Sequence, residues 1–296
     1  MTADIFKEIT PDIKLNEPMS RHTSFRIGGA ADMFATVRSA AEAAELIRAA
    51  HRTRTPFIVL GNGSNILVGD GGVRGLVIQI GITDIEVNGT EIYAGAGAMM
   101  SKIAAEAAKN ALSGFEPLSG IPGTLGGCIY MNAGAYGGEI KNAVKSVEYL
   151  DDNGQLHTVT ANECLFGYRS SIFTDGGKYI TSAVLHLEKG SEDDIRAEMA
   201  DYNLRRTSKQ PLSLPSAGSV FKRPEGSFAG KLIEDAGLKG CAIGGAQVSE
   251  LHAGFIVNRG AATAKDVRDL IEHIQNEVKK QFGIQLQPEI KMIGED

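Results

Sequence analysis

Three short segments carry side chains suited to chemistry on an anionic substrate. FGYRSS supplies Tyr168 and Arg169. Arginine presents a planar, permanently charged fork of donors that matches a carboxylate, although a loop arginine taken alone is more often a solvated surface group. SAGSVFK supplies Ser219 beside Gly218. A serine hydroxyl is too weak an acid to act unaided, and no Ser-His-Asp order surrounds it, so a hydrolase triad is the weaker reading. PEIKMIG reads as a strand in which Ile284, Leu286, Ile290 and Met292 share one face and Glu289 and Lys291 share the other. Pro288 lacks a ladder donor, which predicts an edge strand. By residue type alone this Glu/Lys pair reads as a solvated face.

Glycine-rich turns form a second kind of candidate. The chain holds 36 glycines in 296 residues, well above the usual ~7%, and they cluster in GNGSN, GDGG, AGAG, GIPGTLGG and NAGAYGG. In LGNGSNILV (residues 60–68), successive backbone N–H groups beside Ser64 and Asn65 suit a diphosphate, or simply a strand-to-strand turn. In PLSGIPGTLGGCIYMNAGAYGG (residues 117–138), Pro122 predicts the first turn of a helix whose N–H groups favour a phosphate. Gly123, Gly126 and Gly127 then leave that helix without bulk. Each glycine costs about 1 kcal/mol relative to alanine, and close approach of a flat cofactor would offset the loss.

The elements that must position these groups follow from periodicity. Ser39-Ala-Ala-Glu42 predicts a capping box opening a helix with Ala43, Leu46, Ile47 and Ala50 inward, followed by a buried strand Phe57–Leu60. The GNGSN turn leads into another strand rather than a helix, which disfavours a dinucleotide fingerprint of the strand–turn–helix kind. Asn88-Gly89 predicts a hairpin with a type I′ turn, and Asn153-Gly154 another. Residues 101–112 read as a helix and Lys178–Leu187 as a strand. A second region from Ser191 carries a helix with Ile195, Met199 and Tyr202 on one face, and a short helix Ser227–Ala236. A long helix capped by Thr263 follows, with Val267, Leu270, Ile271, Ile274, Val278 and Phe282 at helical spacing and Gly283 as terminator. The fold class is α+β.

Composition narrows the function. Net charge is −6, so no nucleic-acid partner is expected. An anionic ligand then needs a local basic cluster, which Arg205, Arg206, Lys209, Lys222, Arg223, Lys231 and Lys239 supply. The three cysteines, Cys128, Cys164 and Cys241, are odd in number and form no CxxC, which predicts packing thiols in a reducing compartment. The histidines lack metal-ligand spacing, so no metal is expected. No run of ~18 apolar residues is present, so no membrane span is expected. The N-terminus carries no export signal, and the expectation is a cytoplasmic monomer.

The segments LGNGSN, SGIPGTLGG, NAGAYGG, FGYRSS, SAGSVFK and PEIKMIG, in this order, resemble those of the UDP-N-acetylmuramate dehydrogenase family, also called UDP-N-acetylenolpyruvoylglucosamine reductases. The likeness runs from HTSFRIGGAAD (residues 22–32) to PEIKMIG (residues 288–294). It implies a two-lobed FAD-binding domain of the vanillyl-alcohol oxidase type over residues 1–190. A smaller α+β domain over residues 191–296 would bind the UDP-sugar, its last strand contributing to the active site. It implies NADPH-dependent reduction of UDP-N-acetylglucosamine enolpyruvate to UDP-N-acetylmuramate, a step of peptidoglycan precursor synthesis. By the same resemblance Arg169, Ser219 and Glu289 are catalytic, Ser219 being the proton donor. FAD contacts fall on Leu60, Gly61, Asn62, Gly63, Ser64 and Asn65, on Ser119, Gly120, Ile121, Pro122, Gly123, Thr124, Gly126 and Gly127, and on Asn132 and Ala133. Substrate contacts fall on Tyr130, Tyr168, Lys209, Gln210, Arg223 and Lys291. The sequence departs from many members at Arg223, where they have asparagine, and at Lys291, where they have arginine. For an oxidase with covalently held FAD, His22 and Cys128 are candidates by position only, and FAD is expected to bind non-covalently. The alternatives are a sugar or hydroxy-acid oxidase on the same FAD fold, and a nucleotide-sugar binding protein without catalysis.

Overall fold

A computed structural model describes residues 2–296. The chain forms two compact units, neither of which is one continuous stretch. The first comprises residues up to Leu15, Met33–Asn62 and Gly75–Arg206, and the second Asn16–Asp32, Gly63–Arg74 and Thr207–Asp296. This division differs from a single cut at residue 190. Phe25, Ile27 and Leu67, far ahead of that cut, are buried with Val220, Phe221 and Ile256 in one hydrophobic core. A contiguous stretch of sequence cannot announce that kind of membership.

In the first unit, helices α1 (Thr2–Ile9), α2 (Ala40–Thr53), α3 (Met100–Lys109), α4 (Leu125–Tyr130) and most of α5 (Glu192–Lys209) accompany two larger sheets and short strand pairs. One has the order Lys14–Pro18, Ala30–Val37, Val73–Ile80, Phe57–Leu60; the other has Leu156–Thr160, Val144–Asp151, Lys178–His186, Glu91–Gly95, Ile85–Asn88. The Ser39 hydroxyl accepts from Glu42 N, and Ala43, Leu46, Ile47 and Ala50 are buried as the spacing predicts. The Glu42 carboxylate, however, accepts from Arg38 N rather than from the cap residue. Phe57–Leu60 is half-buried, not buried; it runs parallel to Leu76–Gln79, which takes the interior place.

Local sequence rules miss several boundaries. In the first hairpin Asn88 pairs with Glu91, so the turn is Gly89-Thr90. Gly89 takes φ 63° and Asn88 stays out of the left-handed region, so the two positive angles of a type I′ turn at Asn88-Gly89 are not formed. Helix α3 stops at Lys109, because Leu112–Ser113 pairs with Glu188–Lys189 instead of continuing it. Helix α5 buries Ile195 alone among its described residues, while Met199 and Tyr202 are partly buried, Tyr202 stacked on Tyr136 rather than packed on the core. As far as Arg206 it belongs with the first unit.

In the second unit the sheet order is Ser216–Ser219, Phe255–Asn258, Ala246–Val248, Ala242–Ile243. Helix α6 (Ala229–Asp235) is shorter than expected, and α7 (Ala264–Phe282) is the principal helix. Val267, Leu270, Ile271, Ile274 and Val278 of α7 are buried, each apolar side chain contributing roughly 1.5–3 kcal/mol on burial. Phe282 is 39% exposed, because it falls in the last turn, beyond the core. At the other end Thr263 and Asp266 form a capping box, and the Asp70 carboxylate accepts from Ala264 N at 2.8 Å and Lys265 N at 3.0 Å. The first N–H donors of the helix are thereby satisfied, which an uncapped end would leave orphaned. Gly283 closes α7 in the left-handed conformation.

Lys291–Ile293 pairs in parallel with Ile66–Val68 in a two-stranded sheet. The expected alternation holds for Leu286 and Ile290, which are buried, and fails for Met292, which is 45% exposed. Only three residues of this segment pair, and the alternation that spans the Pro288 bridge to Phe221 ends where that pairing begins.

Candidate functional site

In the first unit the glycine turns meet at Gly61 and Thr124. A methyl group on Gly61 would lie 2.3 Å from Thr124 Oγ1, and one on Gly126 would lie 2.8 Å from Ala96 Cβ. Only glycine permits these approaches. Asn62 Nδ2 donates to Pro122 O at 3.0 Å and Gln79 Nε2 to Gly61 O at 3.3 Å, tying the turns together. In sequence Gln79 shows itself merely as an amide within the largely apolar strand VRGLVIQI.

Helix α4 begins at Leu125 with Thr124 as N-cap, so Pro122 lies ahead of the helix rather than in its first turn, and Gly123 is outside it. The N–H groups of Leu125 and Gly126 are already taken by Ala98 O and Ala96 O, both at 2.9 Å. The anion-receptive helix start expected there is therefore closed at these two positions by the AGAG loop. The Thr124 hydroxyl is different. It makes no cap bond, is buried, and has no hydrogen-bond partner among the described residues. A buried hydroxyl without a partner costs about 1–3 kcal/mol. Such a hydroxyl beside a glycine-only approach fits a bound polar cofactor.

Arg169 also lies in the first unit. Gly167 and Ser170 exchange backbone bonds around Tyr168 and Arg169, and Arg169 takes φ 53°. Its guanidinium donates from Nη2 to Gly134 O at 3.4 Å and lies 5.2 Å from the centre of the half-exposed Tyr168 ring. Asn132 is fully buried. Its Nδ2 donates to Gly167 O at 2.9 Å and to Glu139 Oε2 at 3.3 Å, and its Oδ1 accepts from Lys141 N at 3.3 Å. The Glu139 carboxylate is held below its ordinary range by Lys141 first, with Asn132 and Arg169 adding to it against partial burial. Ser171 Oγ donates to Tyr130 O at 2.7 Å. Neither Glu139 nor Ser171 stands out in sequence. The Tyr130 phenol is pushed up by burial and then by Asp175. The Cys128 thiol, beside α4's core face, is pushed up to about 12 by burial, against the opposing charge of Arg169.

The second unit gathers three motifs far apart in sequence. Glu289 N donates to Val220 O at 2.7 Å, next to Ser219, and Lys222 N donates to Gln287 O at 2.8 Å. Asn65 of the GNGSN turn accepts from Lys291 N at 3.0 Å and donates from Nδ2 to Glu289 O at 3.4 Å. The turn is seated on HTSFR: Ser24 N donates to Gly63 O, and a methyl on Gly63 would lie 2.1 Å from His22 O. Ser24 Oγ in turn donates to Ser216 O at 2.6 Å. Ser219 sits on an irregular strand end, its hydroxyl 3.4 Å from Phe221 O, preceded by Gly218 at φ 78°. The structure thus brings Ser219, Glu289, Lys291 and Asn65 together, while Arg169 belongs to the other unit.

Residues 31–160 match an FAD binding domain, and residues 210–293 match the C-terminal domain of UDP-N-acetylenolpyruvoylglucosamine reductase. A UDP-N-acetylenolpyruvoylglucosamine reductase of Caldanaerobacter subterraneus subsp. tengcongensis is 52% identical over 295 residues, 99% of this chain and 98% of that protein. This chain belongs to the UDP-N-acetylenolpyruvoylglucosamine reductase family. The reductase of Clostridioides difficile is 48% identical across 96% of the chain and 94% of its own length. The crystal structure of the Thermus caldophilus reductase aligns with a TM-score of 0.81 at 35% identity, covering 95% of this chain and 98% of that one. A grass pollen allergen with glucose dehydrogenase activity, 12% identical with a TM-score of 0.51 over 64% of the chain, shares the fold alone.

Among the residues that the reductase resemblance assigns to substrate, Lys209 ends α5 and Gln210 follows it, its carbonyl accepting from Leu212 N. Arg223 packs its guanidinium 4.0 Å from the centre of the Phe228 ring and donates from Nε to Ser227 O at 3.3 Å. An arginine can hold both the ring and the turn, which an asparagine cannot. Tyr136 and Tyr202 stack at 4.8 Å, with Arg206 near the Tyr136 ring and Gly120; no spacing rule in the sequence links them. Among the described residues no helix is long and apolar enough to cross a membrane, and no metal-ligating cluster forms.

Proposed function

We propose that this protein reduces UDP-N-acetylglucosamine enolpyruvate to UDP-N-acetylmuramate with NADPH, using non-covalently bound FAD, as a cytoplasmic monomer. The observation that carries this reading is 52% identity across nearly the whole length of a reductase of that name. Bound FAD would supply the hydride chemistry that links NADPH to the substrate. Residues 60–65, 119–124, Gly126 and Gly127 would hold it, with Asn132 and Ala133 lending backbone only and the Thr124 hydroxyl as a donor awaiting an acceptor. Cys128 is a poor attachment point, since a thiol raised so far stays protonated and unreactive.

In the balanced reaction the enolpyruvyl double bond takes up a hydride and a proton, and NADPH leaves as NADP⁺. An unactivated enol ether resists hydride unless the charge that develops on its carboxylate is stabilised. A preorganised donor contributes about 3–4 kcal/mol to that. Arg169 holds the carboxylate by its fork, Glu289 polarises it, and Ser219 Oγ delivers a proton to the carbon beside it. Tyr130, Tyr168, Lys209, Gln210, Arg223 and Lys291 orient the UDP-sugar. Most of the residues assigned to FAD lie in the first unit and Gly63, Ser64 and Asn65 in the second, whereas of those assigned to the sugar Tyr130 and Tyr168 lie in the first and Lys209, Gln210, Arg223 and Lys291 in the second.

The test is anaerobic. NADPH is expected to bleach the yellow protein, and the enolpyruvyl UDP-sugar to restore the colour without oxygen. Restoration only by oxygen would favour an oxidase. A colourless protein that FAD does not reconstitute would overturn the whole assignment.

A further inference from the structure

We infer that Asn132 is a positioning residue for Arg169, holding the Arg169 turn through its side-chain amide instead of contacting the cofactor with it. This rests on the role proposed above for Arg169.

The amide is fully committed within the protein. Its two N–H donors go to Gly167 O and Glu139 Oε2, and its oxygen accepts from Lys141 N. These partners also settle which end of the amide is which. Reversed, its oxygen would face a carbonyl and a carboxylate, and its NH₂ would face an N–H. Its own N–H is used as well, donating to Ile129 O at 3.2 Å. At 0% exposure, losing any of these partners leaves an unpaired buried group.

What the amide grips is the base of the turn. Gly167 O accepts both from Asn132 and from Ser170 N, and the residues between are Tyr168 and Arg169. Two further tethers reach the same short segment: Arg169 Nη2 to Gly134 O and Ser171 Oγ to Tyr130 O. Residues 130–134 therefore act as a plate to which the arginine turn is fastened on both sides. Backbone geometry agrees with this. Asn132 takes φ 45° and Arg169 φ 53°, conformations that non-glycine residues hold only where surrounding contacts enforce them. Asparagine is among the few residues that tolerate this region. It supplies both the conformation and the donors.

The test is Asn132→Asp, which keeps the shape and the tolerated backbone but sets an oxygen against Gly167 O and Glu139. Flavin content and the rate of flavin reduction by NADPH are expected to stay within about twofold of wild type. Reoxidation by the enolpyruvyl UDP-sugar should slow about 10²-fold, as a misplaced positioning group does. In an Arg169→Ala background the same change should cost less than about threefold, because coupled residues are not additive. Hydrogen exchange of the Gly167–Ser170 amides in the flavin-loaded protein should accelerate. If Asn132→Asp does not accumulate, Asn132→Gly, which keeps the left-handed backbone, carries the same expectations. Loss of flavin, equal slowing of both half-reactions, or a full additional loss in the Arg169→Ala background would overturn the inference. If the wild-type protein is not reoxidised by the UDP-sugar, the functional reading fails instead. The exchange measurement then decides the tether alone: unchanged exchange at Gly167–Ser170 rejects it.

Discussion

Ser219 owes its position to an irregularity in its strand. Ser216 pairs with Val257 and Ser219 with Phe255, so an extra residue is accommodated between them, and Gly218 takes up the strain at φ 78°. The hydroxyl makes a long contact to Phe221 O, which suits the proton donor proposed above. Ser219→Ala should leave NADPH-driven flavin reduction near its original rate. It should slow reoxidation by the enolpyruvyl UDP-sugar by roughly 10²–10⁴, with Ser219→Cys recovering part of the loss; anaerobic stopped-flow at the flavin band resolves the two. Reoxidation of the alanine variant at the wild-type rate would remove Ser219 as the acid. The thiols give an independent check on burial. Cys128 and Cys164 are buried, with burial raising the first to about 12 and the second to about 11, whereas Cys241 is partly exposed. A maleimide reagent at neutral pH should label Cys241 in the native protein and reach the other two only in denaturant, as mass spectrometry would show.

At the level of elements, the glycine turns work by exclusion. Gly61→Ala would drive a methyl into Thr124 Oγ1, so the purified variant should carry at least tenfold less flavin per chain, read from absorbance. Retention of full flavin would dissociate this approach from the cofactor. Helix α7 offers a pH-dependent test. Its Asp266 carboxylate lies below the ordinary range because it accepts first from Thr263 N and also from Gly245 N. A depressed folded pKa stabilises above the unfolded value, about 3.9, and that contribution fades as pH falls through the folded one. Asp266→Asn should therefore lower Tm at pH 7, and the difference should shrink below about pH 4. An equal difference at pH 3 and pH 7 would refute the ionic part of the cap. These elements were also the legible ones. Thr263-to-Gly283 carries its own start and stop signals, and Ser39 announces α2, because caps are set by side chains a few residues apart. Helix α4 begins three residues beyond Pro122, since what starts it is a pair of carbonyls, Ala96 O and Ala98 O, from a distant loop. The partner of Lys291–Ile293 was hidden too: a three-residue parallel pairing with Ile66–Val68 has no local signature. At the site, motif order points to Arg169, Ser219 and Glu289, whose roles stand as the proposal above. Asn132, Glu139 and Ser171 act through contacts that only the folded chain displays.

At the scale of the whole molecule, the second unit is assembled from three separated pieces of chain. A chain truncated after Leu187 would keep Phe25, Ile27 and Leu67 but lose Val220, Phe221, Ile256 and all of α7, against which they are buried. It should appear in the insoluble fraction after expression, or as a soluble fraction without flavin. A soluble, yellow, cooperatively melting fragment would show that those segments do not need the rest. The same interleaving has a consequence during synthesis. The ribosome releases residues 16–32 and 63–74 long before any of residues 207–296 exist, and residues 75–206 are made in between. At about 5–20 residues per second, the early segments wait on the order of ten seconds with their aromatic and aliphatic side chains unpartnered. A nascent chain in that condition is a natural client for a chaperone, and a slow stretch of message within residues 75–206 would lengthen its exposure.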